Sequence, residues 1–302
     1  MRRLLALVLA TIVALALWVV LVATGTREGW WRPMPAPRGG TTAFIGAAKS
    51  RFAAESKGNI VLTLLENGRV VSTWNASHGR PVDSASLFQV ASLSKWITAT
   101  GVMHLAEQHR IDLDAPISRY LKRWKLPPSQ YDNNDVTVRR ILSHTAGLTD
   151  GLGYLGFGPG QTLQPLSASL THATDAQPGA SGDVQVGIEP GTAWRYSGGG
   201  YTMLQMMIED VTGQSFNDYI RESVLMPLGM THSTFVNPDP SHLAEVYDAD
   251  GHKTFYRKFT ALAAASLFTS ADDLTHFLQA QLPQSHGVLK SQTLAAMRQP
   301  LA

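Results

Sequence analysis

Ser92 and Lys95, within the stretch FQVASLSKWITATGVM (88–103), are residues whose types and spacing can do chemistry. A serine hydroxyl is a weak nucleophile near neutral pH and needs a neighbouring base to take its proton. Residues three apart on a helix share a face, so Lys95 can reach Ser92. Burial beside other positive charge would lower the lysine pKa and let the amine accept that proton. A serine near a helix N-terminus also offers its own backbone N–H to a developing oxyanion. The spacing alone is not selective, because a solvent-facing Ser/Lys pair satisfies it equally.

A second cluster is EPGTAWRYSGGGY (189–201). Tyr196 beside a lysine ammonium could be held partly as phenolate and act as a general base. The glycines that follow let backbone approach a ligand closely, which makes Gly198 and Gly199 candidate substrate contacts. A core tyrosine closing a Gly-rich turn is the other reading of the same residues.

These residues need elements to hold them. Ser92 to Gln108 reads as a helix, with Trp96, Ile97, Val102, Met103 and Leu105 as its apolar positions. Before it, residues 41–57 have helical periodicity. Two β-prone runs, 59–65 and 69–74, flank Asn67-Gly68, a strong hairpin signal. Residues 111–124, with Pro116, suit a loop and short helix. The run VTVRRILSHTAGL (136–148) then leads into a Gly/Ser/Thr/Pro-rich section, 149–190, too long for an ordinary connection; such loops are functional or mobile. Helices are expected at 201–212 and 215–225, separated by a Gly213 stop, and at 271–281 and 289–297. No internal repeat is present.

Composition narrows the function classes. Lys plus Arg is 25 and Asp plus Glu is 23, so the net charge of +2 gives no electrostatic case for nucleic acid. There are no cysteines, which excludes disulfides, thiolate zinc sites and iron–sulfur clusters. The 10 histidines fall in no metal-binding spacing, so no metal site is expected.

The N-terminus has its own character. Arg2 and Arg3 precede an uncharged apolar run, Leu4 to Ala23, long enough to span a bilayer. Residues 1–25 read as a signal anchor or a signal peptide. In both cases the remainder is exported, to a periplasmic or other extracytoplasmic location, and an uncleaved helix would tie it to the inner membrane. Trp30 and Trp31 suit a membrane interface, and the Pro/Gly-rich residues 26–40 suit a linker to a domain over 41–302.

Taken together, the motifs resemble the serine β-lactamase-related family of class C β-lactamases, penicillin-binding D,D-peptidases, esterases and D-aminopeptidases. The resemblance runs in family order through the Asn-Gly hairpin, FQVASLSKWITATGVM, Leu113-Asp114-Ala115-Pro116, VTVRRILSHTAGL, EPGTAWRYSGGGY, VLMPLGMTHSTF (224–235) and ALAAASLFTSADDL (261–274). It implies Ser92 as acylated nucleophile, Lys95 as its partner and Tyr196 as the third member, with no metal or organic cofactor. It also implies that the 143–148 segment buttresses the site, so that His144 is a hydrogen-bonded packing residue.

Two departures are visible. The family's Tyr-x-Asn reads Tyr196-Ser197-Gly198 here, which shifts weight from β-lactams toward esters or peptides. Its Lys- or His-x-Gly motif on a late strand has no counterpart: His252-Lys253-Thr254-Phe255 lacks the Gly, and His286-Gly287 lacks the spacing. The resemblance therefore implies an α+β fold of the β-lactamase/transpeptidase type, of α/β sandwich construction. Its antiparallel sheet is flanked by helices and carries a mainly helical part over 92–235, with the C-terminal strands missing. The expected function is a serine hydrolase acting through an acyl-enzyme on an ester, amide or peptide, including D-peptide or β-lactam-like substrates, in the cell envelope. The alternative is an impaired or non-catalytic envelope protein that binds peptidoglycan-like peptides. The sequence leaves the oligomeric state unknown.

Overall fold

The computed structural model describes residues 2–27, 30, 40–151, 153–282, 285 and 287–299, and the side chains from Leu9 onward. The linker read at 26–40 lies largely outside the described residues, as do Trp31 and His286. The chain forms two compact units, Met1–Glu55 and Ser56–Ala302. The first therefore includes residues 41–55, which the sequence reading placed at the start of the larger domain.

The first unit contains α1 (Arg2–Arg27) and α2 (Thr41–Glu55). At 1.5 Å per residue, 26 helical residues span about 39 Å. The described stretch Leu9–Arg27 is long and apolar enough to cross a membrane and is almost wholly unburied. Helix α2 buries none of its side chains.

The second unit opens with β1 (Ile60–Glu66) and β2 (Arg69–Ala76), antiparallel in the register Ile60↔Ala76 to Glu66↔Arg69 with an irregularity at Leu64/Leu65. Asn67 and Gly68 take φ of 51° and 78°, the left-handed pair that a two-residue hairpin of matching twist demands. A short strand β3 (Phe88–Gln89) follows, then a 3₁₀ turn (Ala91–Leu93) and α3 (Ser94–Glu107). Next come α4 (Val138–Leu142), α5 (Leu166–Thr171), α6 (Gly198–Thr212) and α7 (Phe216–Ile220), whose end widens into a π-helical turn. The chain then adds α8 (Leu262–Ala265), β4 (Phe268–Thr269), α9 (Ala271–Ala280) and α10 (Ser291–Ala296).

The α+β class matches the expectation, but the sheet is divided among the described residues. β1 pairs with β2, and β3 separately pairs antiparallel with β4. Helix α9 packs on the hairpin, and Gln279 Nε2 donates to the Gly68 carbonyl at 2.8 Å.

The main core is helical and centres on α6. Met203, Leu204, Met206, Met207 and Ile208 are all fully buried, with Phe216, Phe235 and Ile97 around them. Three glycines open this helix, and each costs about 1 kcal/mol of propensity relative to Ala. Each fully buried Met, Leu or Ile returns about 1.5–3 kcal/mol, so burial outweighs propensity here. Ser197 caps the start, its Oγ accepting from Gly200 N–H at 2.8 Å, and Gly213 ends the helix at φ 74°. The stop expected at Gly213 is where the helix ends.

The long 149–190 section is not an unstructured excursion. It contains α5, buries Leu170, Val184 and Val186, and bridges back to the body at Leu148↔Val186 and Phe157↔Lys258.

Candidate active site

Ser92 sits in the 3₁₀ turn just before α3, two residues ahead of the α-helix that was expected to begin with it. The preceding Ala91 is held at φ 44°, a left-handed conformation unfavourable for a residue with a Cβ. What over-determines this turn is a set of bonds to the α8 region. Val90 N–H donates to Leu267 O at 2.9 Å, and Ser94 Oγ accepts from Leu267 N–H at 2.9 Å while donating to Ala91 O. The small residues Ala263, Ala264 and Ala265 are buried there and allow this close approach of the two segments. Ser92 itself is left exposed.

Lys95 is buried under Ser92. Its Nζ donates to Ala264 O at 2.7 Å and to Ser92 Oγ at 3.2 Å. It also lies over two aromatic faces, 4.9 Å from the Tyr196 ring centre and 5.5 Å from that of Tyr201. Burial lowers its pKa to about 8, against an opposing pull from the Asp150 carboxylate. Of the burial and neighbouring positive charge expected from sequence, burial is what lowers it, and the charge beside it is an acid's.

Tyr196 comes to Ser92 from the turn before α6, its hydroxyl donating to Ser92 Oγ at 2.7 Å. Burial raises this phenol, with the Ser92 hydrogen bond pulling it back and Asp150 adding to the rise. Burial thus works against the phenolate pictured from sequence, and the Lys95 ammonium stands over the face of the ring.

His144 is a buttress. Its Nδ1 accepts the Ser197 N–H at 3.2 Å, and its ring packs 4.5 Å from Tyr196 and 5.3 Å from Tyr201. Burial, then the Lys95 ammonium, lowers its pKa to about 4, so it is neutral at physiological pH. The segment is bound to the turn by Gly191 N–H to Thr145 O at 2.7 Å and Arg195 N–H to His144 O at 2.8 Å. Gly147, at φ 73°, lets this pairing close, since a Cβ there would lie 2.0 Å from Ile188 O.

Gly198 and Gly199 are both buried in the first turn of α6, and their N–H groups turn to Asp150, that of Gly199 at 2.8 Å from Oδ2. They are closely packed: a Cβ at Gly199 would stand 2.3 Å from Val184 Cγ2, and one at Gly198 would stand 3.0 Å from the Tyr154 ring. Tyr154 thus fills the space beside position 198, where the Tyr-x-Asn pattern of the resemblance would put an asparagine side chain.

Asp150, which the sequence reading passed over, is buried at 7% exposure with Ser197 Oγ donating to its Oδ1. A lone acid in a Gly-rich stretch gives no sign of burial, because Asp is rarely buried without partners. Elsewhere, Asp248, Asp250 and His252 cluster on an exposed turn, but the Asp248 carboxylate is taken up by the N–H groups of the other two.

A family model described as Beta-lactamase matches residues 48–302. The chain belongs to the Beta-lactamase family. Within it, penicillin-binding protein 4* of Bacillus subtilis (strain 168) is 32% identical over 182 residues, covering 59% of this chain and 38% of that protein. The chain spans 38% of the length of the curated relatives it matches. Among solved structures, EstCE1, a hydrolase with promiscuous acyltransferase activity, superposes with a TM-score of 0.64 at 22% identity, covering 85% of this chain and 76% of EstCE1. The β-lactamase/D-alanine carboxypeptidase from Yersinia pestis gives 0.63 at 19% identity, covering 82% and 69%. These likenesses make the β-lactamase/transpeptidase-like fold plain.

Proposed function

We propose that this chain is a serine hydrolase that works through an acyl-enzyme on Ser92. The observation that carries the reading is the convergence of Lys95 Nζ and the Tyr196 hydroxyl on one exposed serine oxygen, at 3.2 and 2.7 Å.

In this reading Ser92 Oγ attacks a carbonyl carbon and its proton passes to neutral Lys95, the more accessible base of the two. The Ser92 backbone N–H, ahead of the first turn of α3, faces the developing oxyanion. As the tetrahedral intermediate collapses, the Tyr196 phenol protonates the leaving group and is reprotonated from Lys95. Water then attacks the acyl carbon, releases the acid and restores Ser92. His144, neutral and spent on the Ser197 N–H, stays out of proton transfer.

The substrate class is an ester, amide or peptide, with D-peptides and β-lactam-like amides included. Relatives named for penicillin binding, carboxypeptidase and acyltransferase activity support that range. Tyr154 in the place of an asparagine amide favours esters and peptides over β-lactams. Helix α1 supports export of the second unit across a membrane, with α1 as anchor or signal and the cell envelope as the place of action.

The test is a substrate panel on the full chain in detergent: a p-nitrophenyl ester, a D-Ala-D-Ala peptide and a chromogenic β-lactam. Turnover of the first or second above the third is expected, with all turnover lost in Ser92→Ala. Turnover that survives Ser92→Ala would remove Ser92 from the reaction.

A further inference from the structure

The carboxylate of Asp150 lies in a loop outside both motifs that carry the candidate nucleophile and its partners, yet it is tied to the turn that bears Tyr196. Oδ1 accepts from Ser197 Oγ and Oδ2 from Gly199 N–H at 2.8 Å, with the Gly198 N–H also turned toward it. Ser197 Oγ in turn accepts from Gly200 N–H at 2.8 Å. One buried carboxylate thus gathers the first donors of α6, which a helix of this length leaves unpaired at its start. Ser197, the residue it grips, is adjacent to Tyr196 and has its N–H on His144.

We propose that Asp150 is a positioning residue for the Ser92 chemistry: it clamps the Ser197–Gly199 turn with both carboxylate oxygens and so fixes where Tyr196 meets Ser92. The inference rests on the serine-hydrolase reading of the site. The bottom of the turn has no slack for another arrangement. Val184 and Asp150 already fill the space at Gly199, and Tyr154, anchored by its hydroxyl to Thr202 at 2.7 Å, fills that at Gly198. The titratable groups that feel this carboxylate are Lys95 on α3, Tyr154 on its own loop and Tyr196 on the clamped turn. Its second effect is therefore electrostatic. Burial pushes the Asp150 carboxyl up, its hydrogen bonds pull it back, and as a carboxylate it opposes the larger effect of burial on Lys95, moving the pH at which the free amine appears upward.

The test uses the full chain in detergent and the rate of Ser92 labelling by a fluorophosphonate across pH. Asp150→Asn keeps the shape but loses the acceptor that Gly199 or Ser197 needs, together with the charge. It should label about 10²-fold more slowly at its plateau, the scale of a small misplacement of a reacting group. The midpoint of its acid limb should fall below that of the unmodified chain, because the anion holding the lysine charged is gone. Ser197→Ala breaks the clamp but keeps the carboxyl group, so it should slow labelling with the midpoint moved less than in Asp150→Asn. This second variant decides the matter if Asp150→Asn does not fold. A folded Asp150→Asn chain with unchanged rate and midpoint overturns the role of Asp150, as does Ser197→Ala with an unchanged rate. An unmodified chain that takes no label at any pH overturns the hydrolase reading itself, a distinct result.

Discussion

Tyr196 and Ser92 stand 104 residues apart in the chain and meet through a 2.7 Å hydrogen bond from the phenol to the serine oxygen. Because burial raises that phenol, the bond is one the neutral tyrosine makes as a donor. Removing only the hydroxyl, in Tyr196→Phe, leaves the ring packed on His144 and takes away the proton for the leaving group. The rate of ester turnover should drop by about 10²–10⁴, with thermal stability little changed. A drop in stability of the same order as the loss of rate would assign Tyr196 to packing instead.

Lys95 sets the pH dependence. Its amine must be free to take the serine proton, and burial brings its pKa to about 8. The acylation rate should therefore rise about tenfold per pH unit up to about pH 8 and level off above it. Lys95→Met should abolish the limb along with most of the rate. A flat profile between pH 6 and 9 in the unmodified chain would contradict the assignment of Lys95 as base.

His144 makes a prediction about stability instead of chemistry. An unfolded imidazole takes up its proton near pH 6.5, whereas the folded one resists until about 4. Between these values the unfolded chain binds more protons, so stability is complete above about pH 6.5 and is lost as pH falls toward 4. His144→Asn keeps an acceptor for the Ser197 N–H and removes the titration. Its melting temperature should fall less steeply between pH 7 and 5 than that of the unmodified chain, as differential scanning calorimetry would show.

Position 198 tests the packing that replaces the family's asparagine. A Cβ there meets Tyr154 Cε2 at 3.0 Å and Gly153 Cα at 3.2 Å. Gly198→Asn should destabilise the chain by about 1–3 kcal/mol, the usual cost of overpacking. Combining it with Tyr154→Ala should recover part of that loss relative to the sum of the single changes. Simple additivity in denaturant unfolding would show that Tyr154 is not what excludes the side chain.

Local signals in the sequence were readable where the chain decides locally. The Asn67-Gly68 turn, the apolar positions of α3 and the Gly213 stop all act within a few residues, and the elements form where those signals place them. The meeting of Ser92, Lys95 and Tyr196 is non-local, and only the order of several motifs pointed to it. The burial of the two glycines was not legible, because it follows from the Ser197 cap that opens α6 and from Asp150 on a distant loop. Strands β3 and β4, two residues each, are too short to leave a periodic signal, and they exist because Phe88–Gln89 and Phe268–Thr269 find each other.

The central claim is that Ser92 is a nucleophile activated in this chain as it stands. The most direct measurement is the intact mass of the full chain after treatment with a fluorophosphonate, followed by peptide mapping, with Ser92→Ala alongside. The account predicts one adduct, on Ser92, formed faster at pH 8 than at pH 6 and absent from the variant. A folded chain that stays unmodified, or an adduct that persists on another residue in Ser92→Ala, would contradict it and favour a ligand-binding role for the site.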